Sequence, residues 1–187
     1  MVKRRGLTQE AVVRRAVEMA NAARNPDAVT LTGLAASLDI QPPSLYNHIA
    51  GMDGLKRGMR LYALTHLSRS LRLAAAGQTG RKALLFLAYA YRQFAHDNPG
   101  VYPLILPAVP LDDAAAAEAS EEILTTIVLI LGSMGLEGDD AFHAVRGMRS
   151  LLHGFVSLEM SGGFAMPLEV DKSFQRAVAA YIDGILG

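Results

Sequence analysis

The sequence predicts an all-α protein of about nine helices, a small N-terminal bundle followed by a larger C-terminal one. Three observations carry this. Apolar residues recur at spacings of three and four along most of the chain. No segment alternates apolar and polar residues as a half-buried strand would. Capping residues and Pro or Gly breakers fall at the ends of the apolar runs.

The first helix begins after Thr8, a suitable N-cap, with Glu10 in its first turn. Val12, Val13, Ala16, Val17, Ala20 and Ala23 form its apolar side, and Asn25-Pro26-Asp27 ends it. Thr30 or Thr32 caps a short second helix whose inner side is Leu31, Leu34, Ala35 and Leu38. Asp39 holds the turn and Ile40 plugs the core. Pro42 or Pro43 opens the third helix, where a missing N–H costs nothing, and Gly51 closes it. A longer helix runs over 53–76, with Leu55, Met59, Tyr62, His66 and Ser70 on one side and Leu64, Leu67 and Leu71 on another. Gly77 and Gly80 break the chain. The next helix, 81–98, closes on Asn98-Pro99-Gly100, and 101–106 is a short helical piece between prolines. Asp112 or Asp113 caps a helix reaching 132–135. Asp139 or Asp140 caps another reaching Gly162-Gly163, and Asp171 starts the last, which ends near Leu186. The chain divides into a helix-turn-helix domain (1–52), a connecting helix (53–76) and a larger domain (77–187).

Composition removes several classes. An apolar fraction of 51% supplies a real core, and the absence of cysteine excludes disulfides and thiolate metal sites and suits a reducing cytoplasm. The opening MVKRRGLTQEAVVRR is basic without the apolar run of a signal peptide. The apolar stretches 83–91 and 123–136 fall short of the ~20 residues of a membrane span, so no membrane partner is expected. There is no Gly-rich phosphate loop, Gly-x-Ser-x-Gly, His-Glu-x-x-His or Cys nucleophile, and histidines 48, 66, 96, 143 and 153 lack metal-ligand spacing. The expectation is a protein that is not an enzyme and needs no metal or cofactor.

The net charge of zero hides a split. Residues 1–82 carry 13 Lys/Arg against 5 Asp/Glu, and residues 83–187 carry 5 against 13. This reads either as a polyanion-facing N-terminal part or as chance clustering on solvated helix faces.

The segment 30–55 favours the first reading. At about 100° per residue, Pro42, Leu45 and Ile49 fall on one side of the third helix and pack inward. Asn47 lies nearly opposite with Pro43 and Ser44 beside it, and Tyr46 and His48 sit on the flanks. In a major groove Asn pairs well with adenine, Ser adapts to either partner and an apolar group suits a thymine methyl. Tyr46 and His48 are placed for phosphates, which set register without reading sequence. Thr30 and Thr32, at the start of the second helix, suit phosphates too. Lys3, Arg4 and Arg5 precede the first helix and suit phosphate or minor-groove contacts. The competing reading is an ordinary surface hairpin, for which an exposed Tyr46-x-His48 pair has little purpose.

The pattern LAASLDIQPPSLYNHIAGMDGL, with Leu45-Tyr46-Asn47-His48-Ile49 at its centre, resembles the DNA-binding domain of TetR-family transcriptional regulators over roughly residues 7–64. The stretch Leu151-Leu152-His153-Gly154-Phe155-Val156-Ser157-Leu158-Glu159 resembles the His-Gly motif of one C-terminal subfamily. Two positions depart from the pattern. Asp39 replaces the usual turn glycine, and Asp tolerates a left-handed backbone better than most residues. Met52 replaces the usual phosphate-binding Lys, leaving Lys56 or Arg57, one turn later, to compensate.

The resemblance implies a bacterial cytoplasmic regulator, a homodimer on a palindromic double-stranded DNA operator, released by a small-molecule ligand bound in the C-terminal domain. It also implies a dimer built from the last two long helices. Ala144, Gly147, Leu151, Gly154 and Leu158 recur at three and four on the first of these; Phe174, Val178, Tyr181 and Ile185 line the second. The same residues read alternatively as intrachain core. For the ligand, Tyr89, Phe94, Tyr102, Met134 and Phe142 are apolar candidates and His143 and Arg146 polar ones; plain core or surface pairing is the competing reading. The alternative function is an all-helical partner-binding protein without specific DNA binding.

Overall fold

The computed structural model describes residues 7–186, and among these it contains eight α-helices and no strand. They are α1 Gln9–Ala23, α2 Leu31–Ser37, α3 Pro42–Leu45, α4 Gly51–Ala75, α5 Gly80–Asp97, α6 Ala114–Gly132, α7 Gly138–Met160 and α8 Val170–Leu186, with 3-10 turns at Pro26–Ala28 and Tyr102–Ile105. The all-α class agrees with the sequence; the ninth predicted helix is the Tyr102–Ile105 turn.

Local chemistry sets the helix ends. Thr8 Oγ1 accepts from the Ala11 N–H at 3.2 Å, and Thr30, not Thr32, caps α2 by accepting from Gly33 at 3.1 Å. Asp113, not Asp112, caps α6 through the Ala116 N–H. Neither Asp139 nor Asp140 is a cap: α7 starts at Gly138, so both lie in its first turn, facing the positive end of the helix dipole. Arg24 and Asp39 end α1 and α2 in left-handed backbone, φ 52° and 54°. In each case two N–H groups turn back onto the last carbonyls, Asn25 to Ala20 and Ile40 to Ala35 among them.

The chain forms two compact units. The first takes in the chain up to His66 together with Asp97–Ala117; the second takes in Leu67–His96 and the chain from Glu118 onward. The first unit buries Val12, Ala16, Val17 and Ala20 of α1, Leu34 of α2, Leu45 of α3, and Leu55 and Met59 of α4. Each buried leucine contributes roughly 2 kcal/mol. α1 and α4 meet at Gly58, where a Cβ would lie 2.7 Å from Val13 Cγ2.

The Asp97–Ala117 segment is tied to α1 and α4 within this unit. Asn21 Oδ1 accepts from the Gly100 N–H at 2.9 Å, and Asn21 Nδ2 donates to Asn98 Oδ1 at 3.3 Å. Val101, Tyr102 and Ile105 are buried. Arg60 Nε donates to the Leu104 carbonyl at 3.1 Å, and Arg57 pairs with Asp113 at 3.0 Å.

The second unit buries Leu84, Leu87 and Tyr91 of α5, Leu131 of α6, Met148, Leu152 and Val156 of α7, and Phe174, Val178 and Ile182 of α8. Phe174 meets Tyr89 and Phe155 edge-on, at 5.4 and 5.1 Å between ring centres. Arg92 stands 4.8 Å over the same ring and joins α5 to both α7 and α8. Its Nε donates to Glu159 at 2.8 Å and its Nη2 to Asp171 at 2.8 Å. His96 Nε2 lies 2.9 Å from Glu159 Oε2, the same oxygen that accepts from Arg92 Nε.

Candidate nucleic-acid interface

The helix-turn-helix is α2, the Asp39 turn and α3. Regular α-helix in α3 stops at Leu45. The chain goes on through tight turns, with Asn47 N–H to Ser44, His48 N–H to Leu45 and Ile49 N–H to Leu45. Two prolines open this helix, and it is too short for the eight-residue wheel to hold throughout. The division of faces is nevertheless kept. Leu45 and Ile49 are buried and Pro42 is half-buried. Pro43, Tyr46 and Asn47 are exposed, Tyr46 by 63%; Ser44 and His48 are half-buried between them.

Around this row the other predicted residues take varied places. Thr30 Oγ1 is engaged as the α2 cap while its hydroxyl hydrogen remains to donate, and Thr32 is exposed. Lys56 Nζ is 2.6 Å from Asp27 Oδ1, and Arg57 is paired with Asp113. The two basic residues one turn beyond the half-exposed Met52 are therefore both engaged with carboxylates. Lys3, Arg4 and Arg5 lie outside the described residues.

The predicted ligand contacts do not form one group. Tyr102 is buried in the first unit, whereas the other six belong to the second. There Phe94 is buried core, Tyr89 and Met134 are half-buried, and Phe142, His143 and Arg146 are exposed on α7. An open groove of about 390 Å³ in the second unit is lined by Arg72, Glu118, Glu121, Glu122, Thr125 and Thr126, none of them among the predicted contacts.

The predicted dimer residues also separate. Ala144, Phe174 and Val178 are buried within the protomer. Gly147 makes room for Tyr181, whose hydroxyl donates to the Ala144 carbonyl at 2.8 Å and whose burial raises its pKa; a Cβ at Gly147 would overlap that hydroxyl. Gly154 and Leu158 are exposed, and Leu151 and Ile185 half-buried. Nothing lies within 4 Å of a Cβ built at Gly154 or at Gly184 of α8. Sequence reading did not single out Arg92 or Asn21. The only signal for Arg92 is a lone charge inside the apolar run of α5.

Among the described residues, no group of three or more His, Cys, Asp or Glu is placed to hold a metal ion, and no helix is long and apolar enough to cross a membrane.

The family described as tetracyclin repressor-like, C-terminal domain, matches residues 84–181, just over half of the chain. An uncharacterized HTH-type transcriptional regulator of Bacillus subtilis (strain 168), YobS, is 33% identical over 187 residues, 100% of this chain and 96% of its own. A solved protein of unknown function from Rhodococcus sp. RHA1 superposes with TM-score 0.83 at 18% identity, covering 100% of both chains. A TetR variant from Acinetobacter baumannii AYE in complex with minocycline gives 0.73 at 21% identity, with 96% of each chain covered. These last two share the fold. The family match and the full-length relative place the chain more closely: it belongs to the TetR family of transcriptional regulators.

Proposed function

We propose that this regulator is a cytoplasmic, ligand-responsive repressor that binds a palindromic operator as a homodimer and is released by a small molecule. The observation that carries the DNA reading is the exposed row Pro43, Tyr46 and Asn47 above a buried Leu45 and Ile49. Pro43, Ser44 and Asn47 face base edges; Tyr46, His48, Thr30, Thr32 and Lys56 serve phosphates, with Lys3, Arg4 and Arg5 as further phosphate or minor-groove contacts. One such element reads few bases, so two copies spaced by a helical turn or a multiple of it read a palindrome. Sequencing of DNA fragments selected by the purified protein tests this. Enrichment of two inverted half-sites at that spacing is expected, and absence of any enriched sequence overturns it.

Two substitutions test the roles. Tyr46→Phe should weaken binding to all duplex sequences alike, as loss of a phosphate contact does; a changed base preference would remove Tyr46 from the phosphate set. Asn47→Ala should relax preference at one position per half-site, costing about 1–3 kcal/mol of discrimination there. An unchanged selection profile would remove Asn47 from the readers.

The second unit supplies the ligand site and the dimer contacts in this proposal. A TetR-fold protein solved with minocycline supports a small-molecule site in such a domain. Tyr89 and Met134, half-buried in the second unit, are the retained ligand candidates. The chain passes between its two units at three points, inside α4, at the last residue of α5 and inside α6. A ligand that prefers one arrangement of those helices shifts operator affinity by its preference. Gly154 and Gly184 support the dimer: an exposed glycine inside a helix costs about 1 kcal/mol relative to alanine, which close approach of a second copy offsets.

One observation favours a second reading, a partner-binding protein without specific DNA binding: Met52 carries no charge, and Lys56 and Arg57 both face carboxylates. Affinity for unrelated duplex DNA that falls steeply with salt separates the two, since a partner-only protein lacks it.

A further inference from the structure

Gln41, between the Asp39 turn and α3, carries an amide that the fold leaves unspent. It holds the capping position in extended backbone, φ −81° and ψ 142°, yet its side chain makes no cap hydrogen bond. The two prolines after it supply the reason. A capping side chain accepts from the N–H two or three residues on. Thr8 and Thr30 do so at α1 and α2, each on the N–H three residues on. After Gln41, the residue two on is Pro43, which has no N–H. The N–H three on, of Ser44, is taken by the Gln41 carbonyl at 2.9 Å. Glutamine is also not among the side chains favoured for capping, so capping does not explain its presence. The side chain is exposed. Its backbone is nevertheless held, because a residue before proline is confined to extended conformations and both prolines fix φ. An exposed amide on a held backbone loses little freedom beyond its own rotamers when a partner takes it.

We propose that Gln41 reads a base, in addition to Pro43, Ser44 and Asn47, and that the base is adenine. This rests on the DNA reading proposed above. In a helix-turn-helix the residues at the start of the second helix contact base edges in the major groove. The amide sets a donor beside an acceptor, which matches the N7 acceptor and N6 donor that adenine shows there. On a phosphate the same neutral group would find acceptors only and gain no attraction between charges. Six residues separate Gln41 from Asn47. That is about 9 Å at the α-helical rise and more in tighter turns. Successive bases along a strand lie about 3.4 Å apart, so the two amides reach different base pairs.

Sequencing of DNA fragments selected by the full-length protein tests this, with wild type, Gln41→Ala and Gln41→Glu compared. Gln41→Ala should lose preference for adenine at one position per half-site by about fivefold or more, and keep the position that Asn47→Ala relaxes. Gln41→Glu, which only accepts, should move the same position towards cytosine, whose N4 amino group donates. Both variants should melt no lower than the wild type, since the side chain is exposed and makes no cap bond. An unchanged selection profile in Gln41→Ala overturns the role. So does equal weakening on every sequence, which would make Gln41 a phosphate contact, and so does a lowered melting temperature in both variants, which would make it structural. A wild type that enriches no sequence overturns the DNA reading itself, and this role with it.

Discussion

Gly100→Ala is expected to cost about 3 kcal/mol or more and to lower the melting temperature by roughly 6–12 °C. Gly100 sits against the C-terminal end of α1, where a Cβ would overlap the Ala20 carbonyl, and Ala20 and Gly100 are both buried. That carbonyl already accepts from Asn25 to end α1, so it has no freedom to retreat. The overlap falls on backbone, and only a shift of α1 or of the whole turn removes it. Asn21→Ala should cost less, about 1–3 kcal/mol, because it leaves the Gly100 N–H without its acceptor. Asn21→Asp keeps the acceptor while losing the donor to Asn98 and should fall between wild type and alanine. Thermal unfolding by circular dichroism at one protein concentration reads all three. A Gly100→Ala protein that melts with the wild type would mean that α1 and this turn are not in contact.

This contact also marks where sequence reading stops. The caps at Thr8, Thr30 and Asp113 and the left-handed Asp39 were legible because each involves atoms within a few residues of one another. Asn98-Pro99-Gly100 was legible as a turn for the same reason. Its anchor, Asn21, is 79 residues from Gly100, and neither residue's type states the pairing. The division of segment 42–49 into buried Leu45 and Ile49 and exposed Tyr46 and Asn47 survived a shorter helix than periodicity suggests, because the anchors are strongly apolar and the rest are not. On α7 and α8 periodicity marks an apolar face without saying which neighbour covers it. Gly147 illustrates the ambiguity: its spacing matches a helix contact of any kind, and its neighbour is Tyr181 of the same chain. Lys56 and Arg57 show it for charge, where a basic residue that the sequence sets near the α2–α3 turn also lies within reach of Asp27 and Asp113.

Arg92→Met is expected to cost roughly 3 kcal/mol, the lower end of the range for breaking a buried ion pair by removing one partner. The side chains of Arg92 and Glu159 are 13% and 15% exposed, so the carboxylate left behind is poorly hydrated. His96 gives it a partial partner, and the methionine keeps the aliphatic packing over Phe174. The bond to Asp171 adds little, because that carboxylate is 83% exposed. Arg92→Lys should fall between the two, since an ammonium cannot reproduce the fork that reaches Glu159 and Asp171 together. Lys172→Met, at a pair exposed on both sides, should change stability by less than about 0.5 kcal/mol and serves as the comparison. Acid supplies an independent check. The hydrogen bond from Arg92 holds the Glu159 carboxyl below the ordinary glutamate range, against the opposing effect of burial. A carboxylate with a depressed folded pKa contributes stability above its unfolded pKa of about 4.3 and loses it as pH falls through the folded value. Glu159→Gln removes that titration. The stability gap between wild type and Glu159→Gln, measured by urea unfolding, should hold steady near neutral pH and close progressively below about pH 4. A gap independent of pH down to full acid unfolding would mean that the ionised form of Glu159 does not stabilise the union of α5, α7 and α8.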